Sequence, residues 1–257
     1  MTRVINIASG KGGVGKTTLT TNLAYALAKM GQDVTVVDTN LTTPNLGIHL
    51  GLYLAPNNLQ GVLKGDTNLK DAIYPHTFGF KVIPAGLGID SLIGVDPSRL
   101  YEVLSGLFGK TDYVILDSAP GLGREAISSI NACEEVLIVT NPDLPSIIDA
   151  LKVSRIAINT GKKIIGVVVN RRNKRRDEFS SNRIENILGI PILAEIPEDK
   201  NIPKSIMLKR PVLEVFPNSP SSIEIKRLAF KILGIEGGSE FRGKLGLLGR
   251  MVKWITG

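Results

Sequence analysis

Short apolar runs alternate with amphipathic stretches along most of this chain. Val4–Ala8, Val34–Val37, Lys81–Pro84, Tyr113–Leu116, Val136–Thr140, Ile164–Val169 and Ile192–Ile196 are mostly apolar from end to end. Runs of that kind suit strands covered on both faces. Between them, Leu19–Met30, Pro97–Phe108, Ser146–Asn159 and Ser221–Leu233 place apolar residues at helical spacing. The alternation predicts an α/β fold, a doubly wound and mostly parallel sheet. Such sheets bind ligands at the carboxyl ends of their strands. The first run leads straight into the chemistry.

Residues 10–17 read Gly-Lys-Gly-Gly-Val-Gly-Lys-Thr, between the first strand and the first helix. This is a phosphate-binding loop in the strand–turn–helix context that makes the motif credible. Glycines 10, 12, 13 and 15 let backbone N–H groups, that of Val14 included, turn toward phosphate oxygens. The helix beginning near Lys16 and Thr18 adds the positive end of its dipole. Lys16 is expected on the β- and γ-phosphates and the Thr17 hydroxyl on Mg²⁺. Lys11 is an extra cation inside the loop. Lys16 already serves its own phosphates, so the natural use of Lys11 is in trans, across a face shared by two nucleotide-bound copies.

Composition narrows the setting. At 257 residues with 43% hydrophobic content, the chain suits one large domain. No stretch approaches the roughly 20 apolar residues of a membrane span, and the N-terminus carries the phosphate loop instead of a leader. Cys133 is the single cysteine, so no disulfide forms within the chain and a cytoplasmic setting is expected. His49 and His76 are isolated and read as structural or exposed, which sets aside metal sites built on Cys or His.

Two strands end in acids: Asp38 opens Asp-Thr-Asn-Leu-Thr-Thr-Pro-Asn, and Asp117 opens Asp-Ser-Ala-Pro-Gly-Leu. A carboxylate at a strand tip beside a phosphate loop can hold Mg²⁺ through water. Asp117 has the place of a Walker B acid, Asp38 that of a second acid near the metal, and Pro120-Gly121 that of a loop sensing the γ-phosphate.

Across nearly all of residues 1–235 the sequence resembles the deviant Walker A ATPases, the MinD/ParA group of P-loop NTPases, and within it an archaeal-type MinD. The resemblance rests on Lys-Gly-Gly-Val-Gly-Lys-Thr-Thr, the Asp38 to Asn45 run, residues 117–122, Val-Thr-Asn-Pro at 139–142, Asn170, and Ile-Pro-Glu-Asp at 196–199. It implies ATP or ADP with Mg²⁺, an ATP-dependent homodimer with Lys11 crossing the interface, and an adenine bordered by Asn170, Arg171, Pro197, Glu198 and Asp199. Asn carries the amide donor and acceptor that suit a base edge. Two departures stand out. The family's Asp-x-Asp has Asn40 as its second member here, and an amide can hold a water but cannot take its proton. Slow ATP hydrolysis is the expectation. Ile148 stands where the family often has arginine, so contacts with MinC- or MinE-like regulators do not follow from the resemblance.

Net charge is +7, and residues 241–257 hold Arg242, Lys244, Arg250 and Lys253 with no acid. On a helical wheel Phe241, Leu245, Leu248, Val252 and Ile255 fall within about 80°. The expected organisation is an ATPase domain over 1–236, a flexible joint at 237–240 and an amphipathic segment at 241–257. An anionic membrane surface, a protein groove or solvent could cover that segment, and the basic face favours lipid. The run 171–176 holds five basic residues and reads as a solvated loop, a nucleic-acid contact or a supplementary lipid contact. The combined expectation is a positioning ATPase, cytoplasmic and peripheral at the inner face of the cell membrane, acting on an unidentified protein cargo or regulator. A ParA-like DNA-partition ATPase and a flagellar-number regulator of the FlhG type are the alternatives.

Overall fold

The computed structural model describes residues 1–173 and 175–235. Its strands are β1 (Arg3–Ala8), β2 (Val34–Thr39), β3 (Tyr74–Pro75), β4 (Lys81–Ile83), β5 (Tyr113–Ser118), β6 (Glu135–Thr140), β7 (Lys163–Arg172) and β8 (Ile192–Pro197). The order across the sheet is β3-β4-β2-β5-β1-β6-β7-β8. Every pairing is parallel except β3 with β4. The expected doubly wound sheet is therefore present, with one two-residue antiparallel edge that no apolar run announces.

The helices are α1 (Lys16–Lys29), α2 (Leu46–Leu50), α3 (Leu59–Lys64), α4 (Leu100–Ser105), α5 (Arg124–Asn131), α6 (Leu144–Asn159), α7 (Ser181–Leu188), α8 (Asn201–Met207), α9 (Val212–Val215) and α10 (Pro220–Ile232). They cover both faces. On one face Val4, Ala8, Val114, Leu116, Val136 and Ile138 pack with residues of α3 to α7. On the other, Ile5, Ile7, Val36, Ile115 and Leu137 pack with α1, α2, α9 and α10. Alternate residues of one strand thus enter opposite cores, which is why the strands read as continuous apolar runs.

The amphipathic stretch at 97–108 is not one helix. Asp96 accepts from the Ser98 N–H at 3.0 Å, Pro97 opens a 3₁₀ turn, and α4 follows it. Cys133 is buried, as expected, and burial pushes its thiol up to about 12.

β1 lies between β5 and β6, and the chain leaves it toward β2 on the far side of β5. The strand order therefore reverses beside β1. A crevice opens at the carboxyl ends of strands at such a switch point, and that is where the loop after β1 sits.

Candidate nucleotide site

The loop from Ser9 to Gly15 joins β1 directly to α1. Gly15 is left-handed (φ 100°), and a Cβ there would lie 2.2 Å from the Asn170 Nδ2. Only glycine meets both conditions. Gly10 answers a different need: a Cβ on it would lie 2.3 Å from the backbone oxygen of Asp149 in α6. The loop is thus packed against α6 on one side and the end of β7 on the other. Asn170 Nδ2 donates to the Val14 carbonyl at 2.7 Å, which braces the turn.

Lys16 is buried and its Nζ donates to Ser9 Oγ at 2.8 Å. Burial lowers its pKa, and the charge of Asp117 opposes that. Thr17 Oγ1 donates to Asp117 Oδ2 at 2.7 Å, and Thr20 Oγ1 donates to Oδ1 at 3.4 Å. Asp117 and Asp38 are direct neighbours across the β5–β2 ladder, and both are buried. Burial pushes Asp117 up to about 6 against the hydrogen bonds of Thr17 and Thr20 and the charge of Lys16. Burial, with the charge of Asp117 added, pushes Asp38 well above the usual carboxylate range.

This donor set fits Mg²⁺. A hydroxyl and adjacent carboxylates are hard oxygen ligands, and two buried acids that share one lysine are electrostatically incomplete. Among the described residues no cluster of three His, Cys, Asp or Glu could hold a metal alone. Thr17 and Asp117, which the sequence puts at the metal, are brought together by their hydrogen bond. The Asp38 carboxylate already accepts from the Asn40 N–H (3.1 Å) and the Leu46 N–H (3.0 Å). These two bonds anchor the loop 40–46.

Asn40 is buried at 7% exposure and turned into its own loop. Its Nδ2 donates to the Thr43 carbonyl at 2.5 Å, and its Oδ1 accepts from Thr43 Oγ1 at 3.1 Å. Thr42 bonds the Glu125 carboxylate through both its hydroxyl and its N–H, joining this loop to α5. On the other side the Gly121 N–H donates to the Ser9 carbonyl at 3.0 Å, tying the loop after Asp117 to the phosphate loop.

A cleft of about 440 Å³ runs along Gly12, Gly13, Gly15, Lys16, Thr17, Thr18, Asn40, Ser118, Pro120 and Arg171. A second cavity of about 260 Å³ adjoins it, lined by Gly15, Thr18, Asn170, Arg171, Pro197, Glu198 and by Ile202, Pro203 and Ile206 of α8. The two share Gly15, Thr18, Arg171 and Ile206. Asn170, Arg171, Pro197 and Glu198 therefore come together as expected. Asp199 does not line this cavity. Its carboxylate accepts from the Asn201 N–H (2.9 Å) and Ser221 Oγ (2.6 Å), which fixes the start of α8 to α10. Adjacent residues after a strand face opposite ways, so the Ile-Pro-Glu-Asp run divides between ligand cavity and core.

Lys11 is exposed and has no ion-pair partner among the described residues. The basic run 171–176 is not one surface. Arg172 is 8% exposed, with Nε on Glu195 at 2.7 Å and guanidinium bonds to the Phe179 carbonyl and Ser181 Oγ. Lys174 and residues 236–257, which include the joint and the amphipathic segment, lie outside the described residues. The sequence reading missed the α8 side chains, Thr43, Asn45, Ser118 and His49, all of which border the cleft. Thr43, Asn45 and Ser118 lie inside the two acid-led runs quoted above, whereas no sequence signal pointed to His49 or the α8 side chains.

Comparison with known proteins agrees with this geometry. Residues 5–212 match the model of the CobQ/CobB/MinD/ParA nucleotide binding domain. An uncharacterised ATP-binding protein of Methanocaldococcus jannaschii is 36% identical, covering 100% of this chain and 98% of its own length. The septum site-determining protein MinD of Thermotoga maritima is 33% identical, covering 91% of this chain and 89% of its own. Among solved structures, MinD of Pyrococcus horikoshii complexed with Mg-ADP superposes with a TM-score of 0.87 at 36% identity, covering 90% of this chain and 96% of its own. With the family match spanning most of its length, the chain belongs to the MinD/ParA group of nucleotide-binding ATPases.

Proposed function

We propose that this chain is a MinD-type ATPase that binds ATP or ADP with Mg²⁺, pairs with a second copy in the triphosphate state, and positions other proteins from a membrane surface at the cytoplasmic side. The observation that carries the reading is the contrast between the two loop lysines. Lys16 turns inward onto Ser9, whereas Lys11, next in sequence to the cleft-lining Gly12, stands exposed without an acidic partner among the described residues. A strongly hydrated free cation beside a tetra-anionic ligand gains most when a second copy brings that ligand's outer face to it. The Mg-ADP complex of the Pyrococcus horikoshii relative supports the ligand assignment.

Within the site the roles divide. Loop amides and Lys16 hold the β- and γ-phosphates. Thr17 and Asp117 hold Mg²⁺, with Asp38 behind them, and the ion when bound neutralises phosphate charge. Pro120 and Gly121 sense the γ-phosphate. Asn170, Arg171, Pro197 and Glu198 frame the base. Asn40 positions the attacking water without taking its proton, so turnover is slow and the paired state long-lived. Residues 241–257 supply one weak basic amphipathic anchor per copy, and pairing multiplies its hold by roughly a hundredfold. A DNA-partition role has less support, because Arg172 is taken out of the basic run by its own ion pairs.

Co-sedimentation with anionic vesicles tests the membrane part. Full-length protein pellets with ATP and not with ADP, and a chain ending at Gly238 pellets with neither. Equal pelleting in all nucleotide states contradicts the switch. ATP-dependent, salt-sensitive retention on duplex DNA by both chains favours the partition reading.

A further inference from the structure

His49 borders the phosphate cleft together with Thr18, Asn45 and Ile206. It lies on a short helix held in place at both ends. Asp38 Oδ2 accepts from the Leu46 N–H at 3.0 Å, and the Leu50 carbonyl accepts from His76 Nε2 at 3.0 Å. Leu46 and Leu50 are buried in the core, and Gly51 stops the helix in the left-handed region (φ 74°). The imidazole is thus presented to the cleft by a fixed mount. Among the described residues neither ring nitrogen makes a hydrogen bond.

We infer that His49 donates a hydrogen bond to an oxygen on the sugar and α-phosphate stretch of the bound nucleotide. This rests on the nucleotide reading given above. The other parts of the ligand already have donors: loop amides and Lys16 at the β- and γ-phosphates, and Asn170 with the 197–198 backbone at the base. Thr18 and Ile206 belong to both cavities and mark the waist between phosphates and base. His49 lines the same cleft as those two residues, which aims its ring toward the middle of the ligand. Burial keeps the imidazole neutral, its pKa lowered to about 4. A neutral ring offers one donor and one acceptor. It therefore adds direction at the waist without adding to the charge supplied by Lys16.

Isothermal titration of ADP, 2′-deoxy-ADP and inorganic tripolyphosphate, each with Mg²⁺, tests this in the full-length protein. His49→Ala raises the ADP dissociation constant about fivefold, as loss of one neutral hydrogen bond does. It leaves the ligand-free melting temperature unchanged, and His49→Asn restores much of the ADP affinity. The effect persists with 2′-deoxy-ADP and appears with tripolyphosphate if the acceptor is the α-phosphate, persists with 2′-deoxy-ADP alone if it is another sugar oxygen, and disappears with both if it is the 2′-hydroxyl. No loss for ADP, or a loss that His49→Asn does not restore, overturns the inference. Failure of the wild type to bind ADP removes the nucleotide reading itself.

Discussion

Two buried carboxylates at opposite ends of the sheet have opposite electrostatics. Glu135, at the amino end of β6, accepts from Arg3 (3.0 Å at Nε) and from Lys163 (3.0 Å), and Arg3 also reaches the Ile232 carbonyl. Burial opposes its charge, yet those hydrogen bonds and charges together hold it below the usual carboxylate range. Asp117, at the carboxyl end of β5, has two hydroxyl donors and one lysine nearby, and burial pushes it up to about 6. The first cluster is complete as the chain folds and ties the N-terminus, β6, β7 and α10 together. The second is complete only when something outside the chain supplies positive charge. The incomplete end is the one that works on a ligand.

Ways to break that contrast follow in order of size. Lys16→Ala removes the inward cation of the incomplete end, and ADP affinity and ATP turnover fall by about 100-fold. A melting curve without ligand separates this from misfolding, since it moves little. Asp117→Asn removes the unneutralised acid. Asp117 has a folded pKa of about 6 against an ordinary 3.8. The folded state therefore holds the extra proton between those values, and the wild type without Mg²⁺ loses stability as pH rises from about 4 to about 6. The Asn variant lacks that loss and gains about 2 kcal/mol at pH 7 by urea unfolding. In exchange it loses Mg²⁺-dependent stabilisation by ADP.

Asn40→Asp sharpens the same end. It restores a group that can accept a proton, and the steady-state ATPase rate rises about tenfold. The Asn40–Thr43 bond is lost at the same time, so amide exchange across 41–45 quickens. No gain in rate means the loop geometry sets turnover, not the missing base. Glu135→Gln weakens the complete end by about 1 kcal/mol at pH 7, modest because Arg3 and Lys163 keep solvent contact. Its folded pKa lies below its ordinary value. The stabilisation it provides is therefore present above about pH 4.5 and is lost as pH falls through the folded value. Unfolding curves at pH 3 and pH 7 show the variant's deficit shrinking in acid.

Much of this was legible because β1, β2 and β5 are covered on both faces, and so announce themselves as apolar runs ending in Ser9, Asp38 or Asp117. The phosphate loop is local, and its eight residues lie contiguous in the chain. The rest of the cleft is assembled from elements too short to show a period. α2 has five residues and α8 seven, so neither His49 nor Ile206 had a pattern to give it away. Where one residue points in and the next points out, composition misleads. Asp199 follows Glu198 yet belongs to the α8–α10 corner, and Arg172 follows Arg171 yet lies buried on Glu195. Asn170 was legible as a site residue, but its bracing of Val14 depends on a contact 156 positions away in the chain.

In the proposed function, triphosphate joins two copies through Lys11. Light scattering on the full-length protein saturated with Mg²⁺ and a non-hydrolysable ATP analogue tests it directly. The account predicts twice the 27.7 kDa mass of one chain for the wild type, a single chain mass with ADP, and a single chain mass for Lys11→Ala under either ligand. A wild type that stays single with the analogue, or a Lys11→Ala variant that pairs equally well, contradicts it.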